Sequence, residues 1–149
     1  MNKKVGFSEI MPLIDDAFAS GKSVKIRISG SSMRPLVSNE RDFVYLRKPD
    51  AKPKKRDVVL YVRDDGTYVM HRIVKIIGDE LFICGDNQTE IERGITSQKI
   101  IAKAEAFERN GKYIDCKSLK YKLYSVFWCA VLPKRSKVKK LNRILRGKK

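Results

Sequence analysis

The sequence predicts a mostly β domain with one N-terminal helix and a helical, basic C-terminal extension. Three observations carry this expectation. Between about 22 and 115, apolar and polar residues alternate in short runs, the pattern of half-buried strands. Turn chemistry punctuates those runs at Asp64-Asp65-Gly66, Gly78-Asp79-Glu80 and Asn110-Gly111. At either end of the chain the spacing of apolar residues becomes helical. The expected division is a domain over 1–115, with its helix at about 8–20 and its β core at about 22–115, and an apolar and basic tail over 116–149.

Ser8 to Ser20 reads as a helix with Ile10, Leu13, Ile14 and Phe18 near one face. Ser8 is the expected cap, Pro12 falls in or near the first turn, and Gly21 stops it. Val24, Ile26 and Ile28 then alternate with Lys25, Arg27 and Ser29, giving a strand. Gly30 to Pro35 is a loop, Phe43 to Leu46 a short strand, and Pro49 to Arg56 a polar surface loop. Asp57 to Val62 and Thr67 to Ile77 form a hairpin, and Leu81 to Cys84 returns from it. Gly85 to Gly94 is expected to be a polar loop, and Ile100 to Phe107 the last strand. Leu123 to Leu132 is apolar and is expected to end at Pro133. Val138, Leu141, Ile144 and Leu145 beyond it share a helical face.

The chain of 149 residues suits one domain with a real core. Its formal net charge is +16, which favours anionic partners. The surplus is uneven: nine Lys or Arg and no acid lie between Lys134 and Lys149. Ten apolar residues are too few to span a bilayer but enough to lie in its interface. The tail is therefore expected either to pack on the domain or to attach to an anionic membrane surface, with Tyr124 and Trp128 at headgroup level. No aromatic residues interleave with the basic ones, so no specific nucleic-acid partner is expected. Cys84, Cys116 and Cys129 are odd in number and lack C-x-x-C spacing, and there is one histidine. No metal site and no cofactor is expected, and the cysteines read as reduced, buried thiols. No apolar h-region follows Met1-Asn2-Lys3-Lys4 and no run of about 18 apolar residues occurs. The expected location is cytoplasmic, with the tail offering peripheral attachment at the inner face of the cell membrane.

The stretch with chemical content is Gly30-Ser31-Ser32-Met33-Arg34-Pro35, which follows a strand. A serine hydroxyl reacts only when a base takes its proton and backbone N–H groups receive the oxyanion. Gly30 permits a close backbone approach and Pro35 stiffens the exit. The one imidazole, His71, sits within Tyr68-Val69-Met70-His71-Arg72-Ile73. An imidazole near its ordinary pKa of about 6.5 takes a serine proton at neutral pH. Gly85-Asp86-Asn87 and the Glu90 to Gly94 stretch supply carboxylates able to hold that imidazole in one tautomer.

Together and in this order, these segments resemble signal peptidases and LexA-type peptidases. Ser32-Met33-Arg34-Pro35 matches the S-M-x-P box of signal peptidases. Asp57-Val58-Val59-Leu60-Tyr61 is similar to their G-D-V-V-x-[FY] box, with Arg56 in place of the glycine. Met70-His71-Arg72-Ile73-Val74 resembles the box that bears the base, and Gly85-Asp86-Asn87 with Glu92-Arg93-Gly94 resembles the final G-D-N box. The resemblance spans roughly residues 23 to 108. Bacterial signal peptidases and LexA-like peptidases carry lysine as base, whereas the endoplasmic-reticulum and archaeal type carries histidine, as here.

The resemblance implies a LexA/signal-peptidase-like β domain acting as a serine endopeptidase on a signal, leader or precursor peptide. It implies Ser32 as nucleophile, His71 as base and Glu92 as the residue orienting it, with Asp86 the other candidate. Gly30, Ser31 and Met33 would line the oxyanion and substrate site, and Arg72 and Asp86 would support it. Two departures accompany it: no membrane anchor precedes the serine, and Gly30 offers no hydroxyl to the oxyanion. The competing expectations are a LexA-like self-cleaving regulator, against which no helix-turn-helix precedes the serine, and a non-catalytic basic protein that binds nucleic acid or membrane.

Overall fold

The computed structural model describes residues 6–147. The opening Met1-Asn2-Lys3-Lys4 and the last two lysines, Lys148 and Lys149, lie outside the described residues. The chain is mostly β, with one helix before the sheet and one after it. Helix α1 spans Phe7–Ala19, and α2 spans Leu119–Gly147. Between them run β1 (Val24–Arg27), β2 (Phe43–Arg47), β3 (Val58–Val62), β4 (Tyr68–Ile77), β5 (Glu80–Cys84), β6 (Glu92–Thr96), β7 (Ile100–Arg109) and β8 (Lys112–Asp115). They form one antiparallel sheet in the order β1-β2-β7-β3-β4-β5-β6, with β8 added to β7.

α1 buries Ile14 and Phe18. Leu13, expected on the same face, is 70% exposed, because the buried contacts follow the four-residue step through Ile14 and Phe18. Gly6 holds the cap position with no side-chain bond, so Ser8 does not cap the helix. Gly21, at φ +70°, takes the left-handed turn that ends it, and its N–H donates to the Phe18 carbonyl at 3.0 Å.

The sheet separates two apolar clusters. One lies under the helices and includes Ile14, Phe18, Met33, Leu60, Phe107 and Tyr121. The other gathers Val59, Tyr61, Ile73, Leu81, Ile83 and Ile95. Strand β4 is covered on both faces at its centre, where His71, Arg72 and Ile73 are all buried. Period-two alternation there sends His71 to the side of Val59, Tyr61 and Ile73, and Arg72 to the side of α2.

Three segments differ from the sequence expectation. Glu92–Thr96 is a strand, although 85–94 reads as a loop. Only Ile95 of its five residues is buried, so no alternation marks it, and the last β5–β6 register is shifted. Ile100–Arg109 is not the last strand, because the Asn110-Gly111 turn returns Lys112–Asp115 against it. Pro133 does not end the apolar segment, because one helix runs from Leu119 through it to Gly147. Tyr124 and Trp128 also turn toward the domain rather than outward. The Tyr124 hydroxyl donates to Asp86 Oδ2 at 2.8 Å, and the Trp128 indole N–H donates to the Asp86 carbonyl at 2.7 Å. Among the described residues no helix is long and apolar enough to cross a membrane.

Candidate active site

The loop after β1 holds Ser32 in a fixed frame. Gly30 sits at φ +87°, a conformation side chains avoid, and its N–H donates to Asn39 Oδ1 at 2.9 Å. Met33 is buried in the core and anchors the loop from below. From the far side, Asn87 fastens it: the Asn87 N–H donates to the Ser32 carbonyl at 2.8 Å, and its side-chain amide to the Ser31 carbonyl at 3.2 Å. Ser32 itself is half-buried and Ser31 exposed. Among the described residues the Ser32 hydroxyl makes no hydrogen bond, and the Ser32 N–H donates to none. The first leaves the Ser32 oxygen unencumbered, and the second leaves a backbone N–H free to donate. Gly30, whose N–H is taken by Asn39, does not supply that donor.

Gly85 is the point where the serine loop and the histidine meet. A methyl group at Gly85 would stand 2.7 Å from the Ser32 carbonyl oxygen and 3.1 Å from His71 Cδ2, so these two atoms lie within about 6 Å of each other. It is the Cδ2 side of the imidazole that faces Gly85 and, across it, the backbone of the serine loop.

The opposite edge of the ring faces Tyr61. The Tyr61 hydroxyl lies 3.5 Å from His71 Nδ1 and donates to Glu92 Oε2 at 2.6 Å. With its hydroxyl hydrogen directed at the carboxylate, the phenol oxygen can only accept from the imidazole, which places the ring proton on Nδ1 and leaves Nε2 unprotonated. Arg63 clamps Glu92 through Nε and Nη2 at 2.8 and 2.9 Å. That clamp holds the Glu92 carboxyl below the usual range, so the residue stays ionised. Glu92 thus reaches His71 through Tyr61, not directly. Burial, with the Arg63 charge added, pushes the His71 pKa down to about 4. The imidazole is neutral throughout the physiological range.

Asp86 has a different setting. Its carboxylate receives Arg72 Nε and Nη2 at 2.8 Å each and the Tyr124 hydroxyl, with Arg72 and Asp86 side chains both 1% exposed. Arg72 Nη1 donates to the Arg56 carbonyl and to the Tyr121 hydroxyl, both at 3.0 Å. Below them, α2 fastens the loop through Trp128 and Arg135, which donate to the Asp86 carbonyl. This buried pair ties β4, the Gly85–Asn87 loop and α2 together, and Asp86 makes no hydrogen bond to His71 among the described residues.

Two cavities flank the Ser32–His71 junction. One of about 160 Å³ is apolar and is lined by Ile26, Ile28, Gly30, Ser32, Met33 and Met70. The other, of about 350 Å³, is polar and is lined by Arg63, His71, Gln88, Glu90, Glu92 and Lys139. Burial pushes the Cys84 thiol up to about 11 and the Cys116 thiol up to about 12, so both stay protonated at neutral pH.

Sequence reasoning named Ser32, His71, Glu92, Asp86, Arg72, Gly30, Ser31 and Met33, but passed over Tyr61, Arg63, Gly85 and Asn87 as functional residues. Tyr61, Gly85 and Asn87 stood in the recognised boxes. No family model matches the chain, and no curated protein and no solved structure matches it.

Proposed function

We propose that the protein is a serine endopeptidase that processes a signal, leader or precursor peptide, with the boxed resemblance and the site geometry as support. The observation that supports the reading is the closeness of the Cδ2 side of His71 to the Ser32 backbone across Gly85, where a Cβ does not fit. In the proposed reaction, Nε2 takes the Ser32 proton as Oγ adds to a peptide carbonyl. The oxyanion turns toward the unengaged Ser32 N–H. The imidazolium then protonates the leaving amine, and water repeats the sequence on the acyl-enzyme. The Tyr61–Glu92 pair steadies the imidazolium while it exists. Three cysteines that form no disulfide fit work in a reducing compartment such as the cytoplasm.

A fluorophosphonate probe tests this reading directly. The full chain is expected to be labelled at Ser32, and Ser32→Ala and His71→Ala each to lose labelling and peptide cleavage by a factor on the order of 10³. The double variant is expected to lose little more, because the two act as a unit. Labelling that survives Ser32→Ala would sink the proposal.

The same protein is proposed to sit peripherally on an anionic membrane, through a face of α2 other than the one expected from sequence. Leu119, Leu123, Val126, Phe127, Leu141 and Leu145, with Val138 and Ile144, are each 46–72% exposed. At roughly 3.6 residues per turn they project from one side of the helix, opposite the buried Tyr121, Ser125 and Leu132. No acid occurs from Leu119 to the chain end, so a second copy of α2 would set lysines against lysines, whereas an anionic lipid surface complements them.

A further inference from the structure

Resting on the peptidase reading, we infer that the substrate is an acidic peptide, whose carboxylates lie in a basic trough between α2 and the loop leading into β6. The trough has a volume of about 840 Å³ and continues the polar cavity at His71, since Glu90 and Lys139 line both. Its basic walls are Lys134, Arg135, Lys139, Lys140, Arg143 and Arg146, against the single carboxylate of Glu90.

The trough is built to receive charge from outside. Among the described residues, Lys134, Lys139, Lys140, Arg143 and Arg146 make no hydrogen bond or ion pair, so no described side chain neutralises them. Lys139–Arg143, Lys140–Arg143 and Arg143–Arg146 stand three or four residues apart, where like charges repel and weaken a helix. An anion between them removes that repulsion. Arg135 fixes the trough floor, donating to the Asp86 and Gln88 carbonyls at 2.7 and 3.1 Å. Lys139, Arg143 and Arg146 lie on the side of α2 away from the exposed apolar stripe, so membrane contact leaves them open. No aromatic side chain lines the trough, so it lacks the stacking platforms of a single-stranded nucleic-acid groove. Extended peptide carboxylates, alternating in direction along a strand, suit walls of this kind.

The test has two arms, both on the full chain. First, a fluorescein-labelled twelve-residue Glu-rich peptide is titrated into the Ser32→Ala protein and followed by anisotropy. Lys139→Glu, Arg143→Glu and Arg146→Glu combined are expected to weaken binding by at least about tenfold. The same charge change at Lys117, Lys120 and Lys122 is expected to leave binding near the parent value. Equal loss from both sets, or tighter binding of an oligothymidylate of equal charge, would overturn the inference. Second, a proteome-derived peptide library is exposed to the catalytically intact protein. Cleaved peptides are expected to be enriched in Asp and Glu on one side of the scissile bond, and the triple reversal to abolish that preference. Cleavage with no acidic preference overturns the trough while the peptidase reading stands. Trough-dependent binding without any cleavage leaves the trough and removes the peptidase.

Discussion

Tyr61 holds its hydroxyl 3.5 Å from Nδ1 of His71 while donating to Glu92 at 2.6 Å, so the carboxylate reaches the imidazole through a phenol. Burial and the hydrogen bond to Glu92 push the Tyr61 pKa far above its ordinary value, which keeps the phenol protonated and the chain of donors directional. Tyr61→Phe removes the acceptor for Nδ1–H and leaves the rest of the ring packing. It is expected to lower kcat by about 10- to 100-fold with KM changed little, because a positioning residue acts on the transition state. The readout that separates this from a structural effect is the nitrogen NMR spectrum of the one histidine. The parent is expected to show the Nδ1–H tautomer, and Tyr61→Phe a mixture. An unchanged tautomer would remove Tyr61 from the relay.

The His71 titration follows from its burial. Its pKa is depressed from 6.5 to about 4, so the pH profile of kcat/KM is expected to fall off near pH 4, not near 6.5. The same shift makes the fold sensitive to acid. Below about pH 6.5 the unfolded chain binds a proton that the folded one refuses until about pH 4. Stability is therefore unaffected above that window and lost as pH falls through it, by about 3 kcal/mol in all. His71→Gln is expected to lack this loss, so chemical-denaturation curves of the two proteins should converge toward acid pH. An activity profile whose acid limb lies well above neutral pH would remove His71 as the base.

Gly85 gives a prediction of space alone, since its φ is not one that excludes side chains. A Cβ there falls 2.7 Å from the Ser32 carbonyl, which is backbone and cannot swing aside. Gly85→Ala is expected to separate the serine loop from His71. The loss is about tenfold or more in kcat/KM and about 1–3 kcal/mol in stability, as for other overpacked sites. Gly147→Ala is a control without the wedge, since nothing stands within 4 Å of its Cβ position and its φ lies outside the left-handed region. A Gly85→Ala protein with parental turnover would show that the two elements need not meet here.

How much of this was legible in the sequence depended on periodicity. α1 and the strands from Val24 to Cys84 were readable because alternation or a four-residue step coincided with turn residues. β6 was not, because one buried Ile95 has no period, and β8 was hidden behind a strand that already looked terminal. Pro133 misled because a proline forbids a helical hydrogen bond, yet here Leu132 and Arg135 on either side are held by the domain. In the site, box order named Ser32, His71 and Glu92, but a linear pattern does not say which side chains touch. Tyr61 enters only through the register that sets Val59 opposite His71 and leaves Tyr61 two residues along the same face. Box position put Glu92 ahead of Asp86, and the structure separates the two by partner, Arg72 pairing with Asp86 and Arg63 with Glu92.

Attachment of α2 to lipid is testable with the one tryptophan. Trp128 stacks on Tyr124 at 5.8 Å and lies under Arg135 at 4.4 Å, on the domain side of the helix. The apolar stripe on the other side does the docking, so Trp128 emission is expected to change little when the protein binds. Co-sedimentation is expected with vesicles of phosphatidylcholine and phosphatidylglycerol, not with phosphatidylcholine alone, and to weaken as salt rises. Phe127→Glu with Leu141→Glu is expected to abolish it without altering the thermal midpoint, since these side chains are 61% and 55% exposed. Trp128→Ala should instead lower the midpoint, through loss of its bond to the Asp86 carbonyl. A strong blue shift of Trp128 on vesicles, or full binding by the Phe127/Leu141 variant, would mean that α2 meets the membrane with its other face and must leave the domain to do so.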